Sequence, residues 1–413
     1  MSVVKQKASP PSQPQTQDNA SQLNTKIVEL RQKFNALRDY LNSKVVGHQE
    51  MVDAILLGLL AGENVVMIGA PGTAKSMIAT LLADAIQGAK VFKYLLTKYT
   101  DYAELFGTID VSELAKGNYT RRWSPIVSSD IIFLDEIFKA NSAILNSLLS
   151  LLNEHIIYDS MTGQSIPTSN KLVIGASNEI PEEEELRALY DRFPIKIFVK
   201  YISTSHIDKA LEATWLGSGI QKPNLTINDV IEAQELVTKI FTATINTSAG
   251  AVTPIEYYKF ILTTAITELR QSGIMLSDRT IISKIPKIIS AKILLDGADA
   301  VFTAPFEAVI LSASTPEEKQ KAEEIIRNTL SKANEVINKY NQALELLESN
   351  RLNEAEALFK EVTQYDISKM PNYLAPVVRE IVKNAETALK MIEDYRNEMK
   401  RNASKLGVRF RFS

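Results

Sequence analysis

The chain has 413 residues, too many for one comfortable core and enough for two or three domains. Apolar residues make up 45% and charged residues 23%, and Lys+Arg 46 against Asp+Glu 49 leaves a net charge of -3, an ordinary soluble profile rather than that of a chain built to coat nucleic acid. The absence of cysteine excludes disulfides, cysteine-held metals and thiol nucleophiles, and three histidines (His48, His155, His206) argue against a zinc hydrolase.

Residues 1–22 are polar and rich in Pro, Gln and Ser, and are expected to form a disordered tail. No signal-peptide core is visible there, and no run reaches the ~18 uncharged apolar residues of a membrane span, so a cytoplasmic location is expected. From Leu23 the pattern changes. Leu23, Ile27, Leu30, Phe34, Leu37 and Leu41 recur at steps of four and three and predict an amphipathic helix.

Short apolar runs at Asn64–Ile68, Val91–Leu96, Asp130–Leu134, Lys171–Ala176 and Lys196–Val199 read as buried parallel strands, with helices at Ser76–Ile86 and Ala143–Asn153 between them. Alternating strands and helices imply an α/β core whose parallel sheet is covered on both faces. From about residue 205 helical patterns take over. Ser314-Thr315-Pro316-Glu317-Glu318 reads as a helix start, and Ala322 to Leu347 traces one long stripe. A turn at Asn350-Arg351, a helix over Glu354–Val362 and another over Ala375–Lys400 follow. The expected division is a tail at 1–22, an α/β core at 23–204, an all-helical lid at 205–312 and a C-terminal helical domain at 313–413.

Three of the strand ends carry chemistry. After the first strand comes Gly69-Ala70-Pro71-Gly72-Thr73-Ala74-Lys75-Ser76, with Met77 opening the body of a helix. A strand, a glycine loop, Lys-Ser and a helix make a P-loop. Glycines let successive N–H groups converge on phosphate oxygens, and the helix N-terminus adds positive potential. Lys75 is placed to contact the β- and γ-phosphates of ATP, and the Ser76 hydroxyl to hold Mg²⁺. Ala74 stands where a last glycine is usual, and its methyl demands helix-compatible dihedrals. The strand Asp130–Leu134 ends in Asp135-Glu136. Asp135 is expected in the Mg²⁺ shell, and Glu136 as the base that polarises the attacking water. The strand Lys171–Ala176 ends at Asn178, which could orient that water.

Together these residues resemble the AAA+ ATPases, and within them the MoxR group, closest to its RavA-like branch. The resemblance covers about residues 25–300 and is most specific over FLDEIFKANSAILNSLLSLLNEHIIY, Phe133–Tyr158. GAPGTAKS fits as well, since Ala before the lysine is common in that group. The resemblance implies that Val45-Val46-Gly47-His48-Gln49 lines the adenine pocket, with Val46 and Gly47 binding nucleotide. It implies that Asn178 is the sensor-1 residue. Arg192, in Leu189-Tyr190-Asp191-Arg192-Phe193, becomes the arginine-finger candidate, with Arg187 a lesser rival. Arg279, in Ser277-Asp278-Arg279, opens the sensor-2 helix and is expected over the nucleotide from the lid.

Two insertions also look family-like. Asp101–Trp123 resembles the helix-2 insert, where Tyr119 and Arg121–Trp123 could touch a client or simply pack. Glu154–Ser169 resembles the hairpin before sensor 1. The implied function is an ATP-driven ring, most simply a hexamer of identical subunits, that remodels a protein client. MoxR relatives commonly work with a von Willebrand A domain protein, and no D-x-S-x-S motif occurs in this chain, so that partner would be separate. A helicase-like nucleic-acid motor is the alternative, disfavoured by the charge balance. A scaffold that uses ATP only to assemble is disfavoured by the presence of Lys75, Ser76, Asp135 and Glu136.

Overall fold

The computed structural model describes residues 15–405, apart from 160, 218, 249, 262–264, 334, 350 and 367–374. The expected tail lies outside these as far as residue 14, and so does the 407–413 segment. The first helix, α1, runs over Gln15–Lys44 and starts before Leu23. Its first turns are polar, so apolar periodicity gave no signal for them.

Helix α2 (Gln49–Ala61) leads through Gly62, in the left-handed region at φ 63°, into strand β1 (Val65–Gly69). Then come α3 (Lys75–Ala85), β2 (Val91–Leu95), β3 (Ile131–Asp135), α4 (Ser142–Glu154), β4 (Leu172–Ser177), α5 (Glu184–Tyr190) and β5 (Ile195–Val199). The five strands form one sheet in the order β5-β1-β4-β3-β2, and every pairing is parallel. All five expected strands are present. The chain is an α/β protein with a parallel P-loop core and further helical parts.

Side chains on a strand alternate between faces. Val65 and Met67, Ile131 and Phe133, and Leu172 and Ile174 enter one core with α1 and α2. Val66 and Ile68, Ile132 and Leu134, and Val173 enter the other with α4 and α5. Strand β2 departs from the expectation of a buried strand. It lies at the sheet edge, where Val91 is 36% and Leu95 58% exposed.

Beyond the sheet lie α6 (Thr204–Trp215), α7 (Ile227–Ile240), α8 (Ile285–Asp296) and α9 (Ala304–Leu311). Buried residues of α7, α8 and α9 join the same core as α1 and α2. Helix α1 caps the end of α8: Arg31 and Asn35 donate to the carbonyls of Leu294 and Leu295 at 3.0 and 2.9 Å. The region is not wholly helical. Leu225–Thr226 pairs with Ile86–Gln87, and Ile245–Thr247 pairs with Gly250–Val252. Strands of two or three residues are too short for alternation to reveal.

The C-terminal part comprises α10 (Pro316–Ala333), α11 (Glu335–Glu348), α12 (Leu352–Thr363) and α13 (Ala375–Lys405). The expected single stripe over Ala322–Leu347 is therefore carried by two helices, on either side of residue 334. Helices α11, α12 and α13 share a separate small core around Ala343, Phe359 and Ala385.

Candidate functional site

Parallel strands bring β1, β3 and β4 to one edge with their C-terminal ends, and the loops that leave them meet there. The P-loop begins at Gly69, where a Cβ would stand 2.2 Å from the carbonyl oxygen of Val199 on the neighbouring β5. Only glycine permits that approach. Gly72 follows at φ 80°, with nothing near the position a Cβ would take. Ala74 corrects the expectation of helix-compatible dihedrals. It lies at φ 62°, ψ 15°, in the left-handed region, as the N-cap of α3. The turn that brings the N–H groups together demands that conformation whether or not a methyl is present. A left-handed alanine costs ~1–2 kcal/mol.

Lys75 is buried, and its Nζ donates to the carbonyls of Gly69 and of Ala70, the latter at 3.2 Å. It also donates to Asn178 Oδ1 at 3.1 Å. Burial lowers the Lys75 ammonium from its ordinary value, while the negative charges of Asp135 and Glu136 pull it up. Asn178 in turn donates through Nδ2 to Glu136 Oε1 at 2.7 Å. One side-chain amide therefore joins the P-loop lysine to the acidic strand end. Glu136 sits in the left-handed region at φ 51°, ψ 44°, and its N–H donates to Asp135 Oδ1 at 3.0 Å. A non-glycine residue held there is strained by ~1–3 kcal/mol. Lys139 lies 3.3 Å from the second Glu136 oxygen. Ser76 is exposed in the first turn of α3.

Beside the loop is a cavity of about 200 Å³, whose walls include Val46, Gly72, Thr73, Ala74 and Met77. Gly47, between the wall residues Val46 and His48, lies at φ 85°, and a Cβ there would meet Ile202 at 3.0 Å. Pro71 is tied to the same side, since Tyr201 Oη donates to its carbonyl at 3.4 Å. Tyr201 and Ile202, with Ala210 and Thr214 of α6, complete this side and escaped the sequence reading. They lie just past β5, where the only signal was proximity to a strand end.

The two arginines lie elsewhere. Asn64, at the start of β1, donates through Nδ2 to the carbonyls of Leu152 and Arg192 at 2.9 and 3.0 Å. Arg279 donates to Asn153 Oδ1 at 2.7 Å. Both arginines are thus at the end of β1 opposite the P-loop of their own chain. The reason is the course of α4, which starts beside the acidic strand end and runs back along the sheet, delivering Asn153 to the far edge. Arg192 Nε is buried there with no hydrogen-bond partner among the described residues.

The Asp101–Trp123 insert is committed to packing at its root. Arg121 pairs with Asp159 at 3.1 Å, both side chains at most 5% exposed, and lies over the rings of Tyr102 and Trp123. Tyr119 Oη reaches the same carboxylate at 3.4 Å. Burial pushes the Asp159 carboxyl up, but hydrogen bonds from Arg121 and from the N–H groups of Met161 and Thr162 outweigh it and hold the group below its ordinary value.

A family model described as the MoxR domain of the MoxR–von Willebrand A–β-propeller ternary systems matches residues 32–238, half of the chain. An uncharacterized protein of Methanocaldococcus jannaschii is 40% identical over 176 residues, 42% of this chain and 46% of that protein. A structural protein of Acidianus two-tailed virus is 30% identical over 236 residues, 54% of this chain and 38% of that one. The chaperone MoxR1 of Mycobacterium tuberculosis is 24% identical over 201 residues, 48% of this chain and 52% of that one. The chain thus spans about half the length, or less, of the curated relatives it matches. The crystal structure of a candidate ATPase from Cytophaga hutchinsonii superimposes with a TM-score of 0.58 at 20% identity, over 76% of this chain and 98% of that chain, which shows the fold. No helix among the described residues is long and apolar enough to cross a membrane. With the family model covering half of its length, the chain belongs to the MoxR family of AAA+ ATPases.

Proposed function

We propose that the protein hydrolyses ATP in a ring of identical subunits, most simply a hexamer, and uses the turnover to remodel a protein client, with a separate von Willebrand A domain protein as adaptor. The observation that carries this reading is the Lys75–Asn178–Glu136 chain of contacts at one end of the sheet, with Arg192 and Arg279 at the other. Within one subunit the two arginines lie away from the proposed phosphate-binding half. A neighbour placed head to tail brings them together, and the arginines then stabilise charge developing on the phosphoryl group.

In this reading Gly69, Ala70, Pro71, Gly72, Thr73 and Ala74 cradle the phosphates, and Val46, Gly47 and Met77 border the base and ribose. Lys75 exchanges its loop carbonyls for phosphate oxygens. The donors fit Mg²⁺: a hydroxyl on Ser76 and a carboxylate on Asp135 are hard oxygens, few enough to leave room for phosphate and water. The ion supplies charge neutralisation when bound. Glu136, released from Asn178, accepts a proton from the attacking water, and Asn178 holds that water in line.

Glu136→Gln is expected to bind ATP, to turn over at least ~100-fold more slowly, and to retain partners during affinity capture. Turnover equal to the parent's would remove Glu136 from the chemistry. Arg192→Ala subunits mixed with Glu136→Gln subunits test the shared site. Activity that merely follows the sum of the separate populations would count against the ring.

A further inference from the structure

We propose that the junction between α9 and α10, through Ser312 and Ser314, positions Arg192, and that Tyr190, Lys196 and Ser312 are positioning residues for it. The inference rests on the reading of Arg192 as the residue offered to a neighbour's phosphate.

Arg192 lies on the short turn between α5 and β5. That turn is tied on both sides to one distant segment. Tyr190 Oη donates to the carbonyl of Ser314 at 2.7 Å. Lys196 Nζ donates to the carbonyl of Ser312 at 3.2 Å, and Ser312 Oγ donates to the carbonyl of Pro194 at 2.8 Å. Tyr190, Lys196 and Ser312 are each at most 4% exposed, and Phe193 between them is fully buried. Phe193 packs so closely on β4 that a Cβ on Gly175 would meet its ring at 3.1 Å. With the Asn64 contact to its own carbonyl, the backbone of Arg192 is held from several directions while its Nε has no partner among the described residues. A fixed backbone under a guanidinium whose Nε has no partner among the described residues suits a trans-acting arginine, because ~1 Å of misplacement can cost ~100-fold in rate.

The other side of the clamp belongs to the C-terminal helices. Ser314 N–H donates to Glu318 Oε2 at 2.8 Å, and Glu318 N–H to Thr315 Oγ1 at 3.1 Å, which locks the junction to the first turn of α10. A buried lysine is a costly choice for a staple, since an apolar residue of similar volume packs without a desolvation penalty. What Lys196 adds over such a residue is a directional bond to the junction. Displacement of α10 is thereby transmitted to the Arg192 turn, which gives the C-terminal helices a route to set turnover.

The test uses the full chain with Tyr190→Phe, Ser312→Ala and Arg192→Ala, singly and combined, reading kcat, ATP Kd and melting temperature. Each clamp variant is expected to lower kcat about tenfold, with ATP Kd within twofold of the parent's, and to cause no further loss once Arg192 is alanine. Glu318→Ala loosens the junction from the surface and serves if a buried variant fails to fold; it is expected to lower kcat in the same way. Parent-like kcat in Tyr190→Phe, Ser312→Ala and Glu318→Ala, alongside a collapse in Arg192→Ala, would overturn the clamp and leave the shared site intact. Parent-like kcat in Arg192→Ala would overturn both. Losses that multiply on the Arg192→Ala background would assign the clamp residues to general stability and overturn the positioning role.

Discussion

Ala74 is the residue where local chemistry and loop geometry disagree most openly. Its left-handed conformation costs ~1–2 kcal/mol, of which glycine would return part, since glycine loses ~0.5–1 kcal/mol more backbone entropy on folding. Ala74→Gly is therefore expected to raise unfolding stability by about 0.5–1 kcal/mol, read as an upward shift of the denaturant midpoint at unchanged slope. Lys196 offers a second residue-scale outcome. Burial pushes its ammonium down to about 8, against the opposing pull of Asp191 and Glu318, and Tyr190 covers it with its ring. The unfolded chain holds that proton up to the ordinary lysine value, so it binds more protons than the folded chain between the two. Stability from this group therefore rises with pH from about 8 to the ordinary value, and Lys196→Met is expected to flatten that limb of the pH–stability curve.

At the scale of elements, the strands and their chemistry were legible because both are local. A run such as Asn64–Ile68 followed by Gly-x-x-Gly announces its own strand and its own turn, and Asp135 and Glu136 are read from the strand they end. What the sequence hid depends on how elements are stacked. Whether β2 lies at an edge is a matter of strand order, which no run of residues encodes by itself. Arg279 could be recognised by its neighbours in sequence, but its location is set by where α4 ends and how α7 and α8 pack on α2. The insert shows the same limit: Arg121 and Asp159 are 38 residues apart in sequence, and neither local pattern announces their pairing. Their pair is almost fully enclosed, and removing one partner leaves the other charge buried. Arg121→Ala is expected to cost about 3–5 kcal/mol, measured by chemical denaturation, while the reciprocal exchange of both for apolar residues should cost far less.

For the whole molecule, the proposed division of the site between two subunits would make activity a property of the assembly. If the arginines act on a neighbour, turnover per subunit should fall on dilution below the assembly concentration and return when subunits are added back, including subunits that cannot hydrolyse ATP themselves. A dilution series at saturating ATP distinguishes this from a self-sufficient subunit, whose specific activity would stay flat. The contact this requires is heterologous, one surface meeting a different one, and such contacts close into rings only when the rotation between neighbours divides a full turn.

The exposed edge strand β2 has a separate consequence for how the sheet can be extended. At the other edge, β5 is buried beneath helices. Along β2, the outward backbone N–H and C=O groups have no strand opposite them among the described residues, and Leu95 stands out at 58% exposure. Lys93 occupies the centre of this strand, with its Nζ donating to Thr80 Oγ1 at 2.5 Å. A lysine in mid-edge is a gatekeeper, because a foreign strand must strip water from the ammonium before it can pair. The sheet is therefore polarised in its adhesiveness. One flank is sealed by packing, and the other is guarded by a single charge against uncontrolled fibre-like growth.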